Sequence, residues 1–197
     1  MAYITGSSDV ILKLGKSVIR RYRKSDAEAI VAAADSHLVS EYMTATFPSP
    51  YTLQDAVNWI DIAGQEGSLF FAICTFDSDI VIGGCGFQHL TGEQSRTKVL
   101  GYWLSPRYWG QGIMTEVISS LSSWAFEQLP TLLRIEATVI EENRGSIKVL
   151  ERAGFHHEGT RRMAVFKNGR IHNVLVMGLI RHEWKDFVEV KTGGVAE

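Results

Sequence analysis

The chain has little of the features that usually settle a protein's class on sight. Only two of its 197 residues are cysteine, Cys74 and Cys85, and both lie in apolar, strand-like runs. They read as buried free thiols of a reducing compartment rather than as a disulfide. No apolar run approaches the roughly 20 residues needed to span a bilayer. The opening stretch, MAYITGSSDVILKLGKSVIRRY, lacks the charged, then apolar, then small order of a secretory signal. A soluble, cytoplasmic protein is the expectation. Neither sign of charge prevails: 20 Lys and Arg stand against 22 Asp and Glu, for a net charge of -2. Such a balance predicts neither a nucleic-acid surface nor an anionic-membrane surface. Internal repeats and low-complexity linkers are absent.

What is present is the composition of a folded protein with a sizeable core, 45% hydrophobic and 21% charged, of a length that suits one domain. Val10–Leu14 and Ser17–Tyr22 read as a first strand region interrupted at Gly15. Ser25-Asp26-Ala27-Glu28 has the form of a capping box, which predicts a helix through Ala34. Tyr42–Tyr51 carries two of the four prolines and reads as a loop. Thr52-Leu53-Gln54-Asp55 repeats the cap logic and opens a helix with Ala56, Trp59, Ile60 and Ala63 on one face. Leu69–Phe76 and Ile80–Gln88 form a meander across the polar turn Asp77–Asp79. Gly83, Gly84 and Gly86 in its second strand predict a bulge or close backbone packing. Lys98–Leu104 is the next strand. Leu133–Val139 alternates as another, with Glu136 opposite in face to Ile135 and Ala137. A helix starts at Asn143, buries Ile147, Leu150 and Ala153, and ends at Gly154. Met163–Phe166 and Val174–Ile180 flank Lys167-Asn168-Gly169-Arg170, whose Asn-Gly is a strong hairpin signal. The tail Lys191–Glu197 reads as frayed. The order is βααβββαβαββ, a mixed α/β single domain.

One stretch carries chemistry. Leu100–Phe126 reads as a strand, a tight turn and an amphipathic helix with Ile113, Val117, Ile118, Leu121 and Ala125 on the buried face. Gly110 and Gly112 let the turn bend sharply and approach a ligand without a Cβ in the way. The N–H groups of the first helical turn, backed by the helix dipole, suit a phosphate or pyrophosphate. An unliganded strand-to-helix turn is the plainer alternative. No Gly-x-x-x-x-Gly-Lys-Ser/Thr string marks a nucleotide-hydrolase loop. Gly110-x-Gly112 also lacks the third glycine of a dinucleotide fold, that position being Thr115.

Arg107-x-x-Gly110-x-Gly112 after a strand resembles the acetyl-CoA pyrophosphate loop of the GNAT N-acetyltransferase superfamily. The likeness is closest to its ribosomal-protein N-acetyltransferase-like (RimJ/RimL-type) group. It is carried by GYWLSPRYWGQGIMTE at Gly101–Glu116, RIEATV at Arg134–Val139, ENRGSIKVLERAGF at Glu142–Phe155 with Glu158-Gly159, and FPSPYTLQDAVNWI at Phe47–Ile60. The closing NGR…LIRHEW ends at Trp184, so the resemblance runs from about Val10 to Trp184. It implies the single-domain GNAT fold: a twisted, mostly antiparallel sheet, splayed in the middle and flanked by helices. Residues 1–190 would form the acetyltransferase domain and 191–197 a flexible tail. The implied activity is transfer of acetyl from acetyl-CoA to a primary amine, on a protein N-terminus or a small molecule, by direct attack in a ternary complex.

By the same resemblance, Trp103 and Leu104 offer backbone to the pantetheine arm. Arg107, Trp109, Gly110, Gln111, Gly112 and Ile113 cradle the pyrophosphate, Asn143 contacts the arm, and Ser146 protonates the leaving thiolate. Two acidic positions of many relatives are neutral here, at Val99 and Asn173, which leaves Glu93, His89 and Glu136 as candidate bases. Asn143 as a bare helix cap and Ser146 as a first-turn residue are the structural alternatives. Adjacent His156 and His157 face opposite ways in an extended segment, so no metal is expected. The five tryptophans read mostly as core, the loop Tyr42–Tyr51 as the acceptor wall, and no acidic or aromatic cluster is legible there. The expected partners are acetyl-CoA and an amine acceptor, with no nucleic acid and no membrane, in a monomer or homodimer. The rival reading is an acyl-CoA-binding or sensing module with weak or no turnover.

Overall fold

Gly15 separates two strands that fold back on each other, β1 (Val10–Lys13) and β2 (Ser17–Arg20). In the computed structural model, which describes residues 9–186, contacts divide the chain into two compact units. One comprises the described residues through Phe87 together with Gly101–Val117. The other comprises Gln88–Leu100 and the described residues from Ile118 onward. The tail expected at 191–197 lies outside the described residues.

In the first unit β2 pairs with β3 (Leu69–Thr75), and β3 with β4 (Val81–His89), each antiparallel. The β3–β4 register shifts at Ile73/Cys74, a bulge beside the glycines expected to produce one. Helix α1 (Ala27–Ala34), the short α2 (His37–Ser40) and α3 (Leu53–Ala63) follow β2. Ala27, Ile30 and Ala34 of α1 and Ala56 and Ile60 of α3 pack with Ala72, Cys74 and Val81 of the sheet. The capping box of α3 forms as expected: Thr52 Oγ1 accepts from the Asp55 N–H at 3.3 Å, and Asp55 accepts from the Thr52 N–H at 2.8 Å. The first box does not. The turn Lys24–Asp26 precedes α1 as a 3-10 helix, and the Asp26 carboxylate, not Ser25 or Glu28, does the capping, accepting from the Arg23 N–H at 2.8 Å. The reason is tertiary: Arg20, 1% exposed, grips Asp26 through two bonds of 2.7 and 2.9 Å. The same guanidinium bonds Asp79 at 2.7 Å, tying β2 to the β3–β4 turn.

In the second unit the first half of β5 (Thr97–Leu104) pairs in parallel with β6 (Arg134–Ile140), over Thr97–Val99 and Arg134–Glu136. β6 pairs antiparallel with β8 (Arg170–Ile180), and β8 with β7 (His156–Lys167). The closing hairpin is thus longer in both arms than the sequence suggests. Helix α5 (Arg144–Arg152) buries Ile147 and Leu150, and Gly154 follows it at φ 92°, the left-handed position that ends a helix. The eight strands run β1-β2-β3-β4-β5-β6-β8-β7, mostly antiparallel, in a mixed α/β fold. Cys74 and Cys85 are free and buried, as expected.

Candidate functional site

The strand β5 ends at Leu104, and the chain then makes a 3-10 turn, Pro106–Tyr108, before Trp109. Ser105 is pinned to β4, its N–H donating to the Ile82 carbonyl at 2.8 Å. Trp109 is not core: it is 47% exposed, and its indole N–H donates to the Leu104 carbonyl at 2.7 Å. That bond folds the loop back over the strand end. The Gln111 side chain closes it further by donating to the Arg107 carbonyl at 3.1 Å. Gly110 and Gly112 stand at φ 72° and 78°, a backbone that L side chains adopt only with strain. Space is open at both: nothing lies within 4 Å of where a Cβ would sit. Helix α4 (Ile113–Gln128) starts immediately after.

The turn between β1 and β2 braces this loop, a feature without any signal in the sequence. Lys16 Nζ donates to the Gln111 carbonyl at 2.9 Å. The Gly15 N–H donates to Glu116 Oε1, in the first turn of α4, at 2.8 Å. Glu116 is thereby engaged by a donor, and the lysine adds positive charge beside the loop. Lys16, Tyr108, Gln111 and Ile113 line a cavity of about 320 Å³ together with Thr75, Phe76 and Asp77.

Trp103, one residue before the strand end, faces a group of aromatic rings brought from distant parts of the chain. Phe47 packs against it at 5.9 Å between centroids and against Tyr51 at 5.1 Å. Trp59 of α3 lies 5.1 Å from Phe70 and 6.4 Å, edge-on, from Tyr22. Tyr22, Phe47, Trp59, Phe70 and Trp103 are all half-buried. No aromatic cluster is legible in the Tyr42–Tyr51 stretch because Phe47 meets Trp103 only through the fold. The rings converge only because β2, α3, β3 and β5 fold against one another. A Cβ at Gly84 would collide with Tyr22 Oη and Trp103 Nε1, so the bare glycine makes the room that the sequence pattern anticipated.

The other candidates lie in the second unit. Asn143 is the N-cap of α5, and its Oδ1 accepts the Ser146 N–H at 3.1 Å. Ser146 is half-buried in the first helical turn. His89 closes β4, and Glu93 sits in the 3-10 turn Gly92–Gln94; both are exposed. Glu136 alternates with buried Ile135 and Ala137 as expected, and its carboxylate is held by Arg134 at 2.8 Å. Arg134 also grips both oxygens of Glu158 at 2.5 Å, which holds the Glu158 carboxyl below the usual range. Asn173 is spent on structure: its Oδ1 accepts the Met163 N–H at 2.9 Å, and its Nδ2 donates to Glu141 at 2.8 Å. Beside it, Glu142 is held low by a backbone hydrogen bond and by His172, 3.1 Å away. Among the described residues no group of three or more His, Cys, Asp or Glu is placed to hold a metal ion, and no helix is long and apolar enough to cross a membrane.

Comparison with known proteins bears on this geometry. Residues 17–156 match the family described as the acetyltransferase (GNAT) domain. The N-acetyltransferase p20 of Bacillus licheniformis, itself uncharacterized, is 32% identical over 168 residues, 84% of this chain and 93% of that protein. A GNAT-family acetyltransferase from Bacillus anthracis has a crystal structure that superposes with a TM-score of 0.75 at 23% identity, over 85% of this chain and 96% of that one. RimL, a ribosomal L7/L12 α-N-protein acetyltransferase solved in complex with coenzyme A, superposes with a TM-score of 0.73 at 20% identity, covering 87% and 97%.

Proposed function

We propose, from the premise that this chain belongs to the GNAT acetyltransferase family, that it moves an acetyl group from acetyl-CoA to a primary amine by direct attack in a ternary complex. The observation that carries the reading is the Gly110–Gly112 loop. Two left-handed glycines with open space above them lead into a helix start, beside the cation Lys16. A group with two phosphates needs several N–H donors and positive potential, and this arrangement offers both. Arg107 adds an exposed guanidinium at the same turn. The residues present therefore fit a pyrophosphate.

Acetyl-CoA supplies the acyl group: a carbon–nitrogen bond forms, the carbon–sulfur bond breaks, and the proton lost by the amine ends on the departing thiolate. The protein's part is placement and proton handling. Backbone at Trp103 and Leu104 holds the donor, with N–H groups at the strand end as oxyanion donors. Asn143 and Ser146, at the start of α5, are assigned the pantetheine contact and the protonation of sulfur. A lysine-like amine has a pKa of about 10.4, so the acceptor must lose a proton before it attacks. His89 and Glu93, both solvent-facing, are the remaining candidates for that base, since Glu136 is engaged by Arg134. The relatives that modify ribosomal proteins make a protein N-terminus one acceptor class, and small amines are the other.

The test is release of CoA thiol from acetyl-CoA across a panel of amines and N-terminal peptides. Amine-dependent release that falls in Ser146→Ala is expected; the absence of release with every acceptor class would refute transfer. One set of observations favours the alternative, an acyl-CoA-binding module without turnover: Val99 is apolar, and Asn173 is occupied by Met163 and Glu141. That reading predicts a rise in melting temperature with CoA and equal inertness of the wild type and Ser146→Ala.

A further inference from the structure

We infer that the outer edge of β7, in the closing β7–β8 hairpin, is a docking strand for an extended, acidic segment of a partner polypeptide. The three most exposed large hydrophobic side chains among the described residues all stand on this hairpin: Phe166 at 75%, Met163 at 72% and Ile171 at 56%. Arg161, Arg162, Lys167 and Arg170 lie between Gly159 and Asn173, with no carboxylate among them. Arg161 comes no nearer to Glu136 than 3.9 Å, and Arg162 and Arg170 have no ion-pair partner among the described residues. Apolar surface left open within a basic patch marks an interaction site. The backbone is shaped to present it. β7 bulges between Arg161 and Val165, and Met163 stands there at φ 53°, a left-handed conformation uncommon for such a residue. Asn173 Oδ1 holds it by accepting the Met163 N–H at 2.9 Å. The root of the hairpin is fastened as well: His172 meets Glu142 at 3.1 Å, and Asn173 Nδ2 donates to Glu141 at 2.8 Å.

Position in the sheet selects the kind of partner. β7 ends the strand order, with β8 its one strand neighbour among the described residues, so a row of its N–H and C=O groups faces outward. A polypeptide satisfies that row by adding a strand, which neither a lipid nor an RNA can do. Register then sets the side-chain pattern. Phe166 stands opposite Ile171 on one face of the hairpin, and Lys167 opposite Arg170 on the other. A strand added beside β7 meets apolar surface on the first face and cations on the second, so it alternates apolar with acidic residues. The same charges act against a second copy of this chain, because pairing two β7 edges sets Arg161, Arg162 and Lys167 against their own kind. For a bilayer the polar Asn168-Gly169 turn, rather than Phe166 and Ile171, forms the tip that would have to enter first. Of Phe, Tyr and Trp, the usual platforms for RNA bases, the hairpin carries Phe166 alone.

The probe is a peptide of about eight alternating Asp and Val residues, the length of one strand. It is acetylated at its N-terminus, amidated at its C-terminus and labelled with a fluorophore. With no free amine it cannot accept acetyl, so the outcome is independent of acetyl transfer. Fluorescence anisotropy with the full chain should show saturable binding, at least about tenfold tighter than for the Lys-Val counterpart. Arg162→Glu combined with Arg170→Glu should raise Kd by at least about tenfold, and Phe166→Ala severalfold. All three side chains are exposed, so the melting temperature should not move. N-methylation of the Asp set, or of the Val set, removes every second N–H of the peptide, and the set that faces β7 should abolish binding. Equal binding of the Lys-Val peptide, a Kd unmoved by the double variant, or binding that survives both methylations would overturn the assignment. Tighter capture of an oligouridine or of phosphatidylserine vesicles, lost in the double variant, would give the hairpin to nucleic acid or membrane and overturn it equally. So would a sedimenting dimer that Phe166→Ala abolishes.

Discussion

Gly112 stands at φ 78° with nothing within 4 Å of a would-be Cβ, so its replacement is a problem of backbone and of ligand, not of packing. Gly112→Val should cost about 1–3 kcal/mol of stability from left-handed strain and raise KM for acetyl-CoA by more than about tenfold, each tenfold being about 1.4 kcal/mol. Lys16→Met removes the bond to the Gln111 carbonyl and the positive charge beside the loop. It should raise KM for acetyl-CoA severalfold and leave kcat unchanged, as read from steady-state kinetics at fixed acceptor. The thiols make a contrasting residue-scale prediction. Burial pushes Cys74 up to about 12 and Cys85 higher still, so neither forms thiolate at pH 8. An aromatic disulfide reagent should label neither in the native protein and both in denaturant.

Elements differ in how far their own residues explain them. Helix α3 is capped by its neighbours in sequence, and Thr52→Ala should cost about 1 kcal/mol in urea unfolding. Helix α1 is not. Its leading turn depends on Asp26 holding Arg20, at 7% and 1% side-chain exposure. Removing one partner of a buried pair costs about 3–5 kcal/mol, and Arg20 keeps Asp79 at 2.7 Å, so Asp26→Ala should destabilise by about 3 kcal/mol, the lower end of that range. Asp9 meets Arg23 at 3.2 Å with both side chains exposed, and Asp9→Ala should change the unfolding midpoint little, by about 0–1 kcal/mol. The two substitutions together test whether burial, not pairing, sets the cost. The misplaced cap at Ser25 has the same origin: the local pattern was present, but a guanidinium from β2 claimed the neighbouring carboxylate.

For the molecule as a whole, several carboxyls sit below their ordinary range. Asp55 is lowered by hydrogen bonds from Thr52, and Glu158 by Arg134. For Asp79 burial works upward, but Arg20 and Arg23 outweigh it. A folded pKa below the unfolded one contributes stability above the unfolded value, about 4, and loses it as pH falls through the folded value. Melting temperature should hold between about pH 7 and 5 and decline below about 4. A steady rise on acidification through that window would contradict these assignments. The raised cysteines act at the other end, withdrawing stability as pH climbs from their ordinary 9.0 toward about 12.

The sequence by itself determined what depends on short-range stereochemistry. The positive-φ glycines at 110, 112, 154 and 169, the Thr52–Asp55 box, the Asn143 cap and the period-two alternation about Glu136 each follow from a residue and its near neighbours, whereas the expected order βααβββαβαββ missed the split of its first strand into β1 and β2 and the short helix α2. The glycine loop was legible for the same reason, and with it the family. The tertiary structure alone decided which distant residues meet. Lys16 reaches Gln111 across 95 positions, Gly15 meets Glu116 across 101, and Arg134 finds Glu158 across 24. Asn173, conspicuous as a substitution, proves to be a bracket between Met163 and Glu141. The rings of Tyr22, Phe47, Trp59, Phe70 and Trp103 carry no common spacing, so nothing in the string groups them. Strand register and helix packing set which face each side chain takes, and only those non-local choices turn scattered aromatics into neighbours.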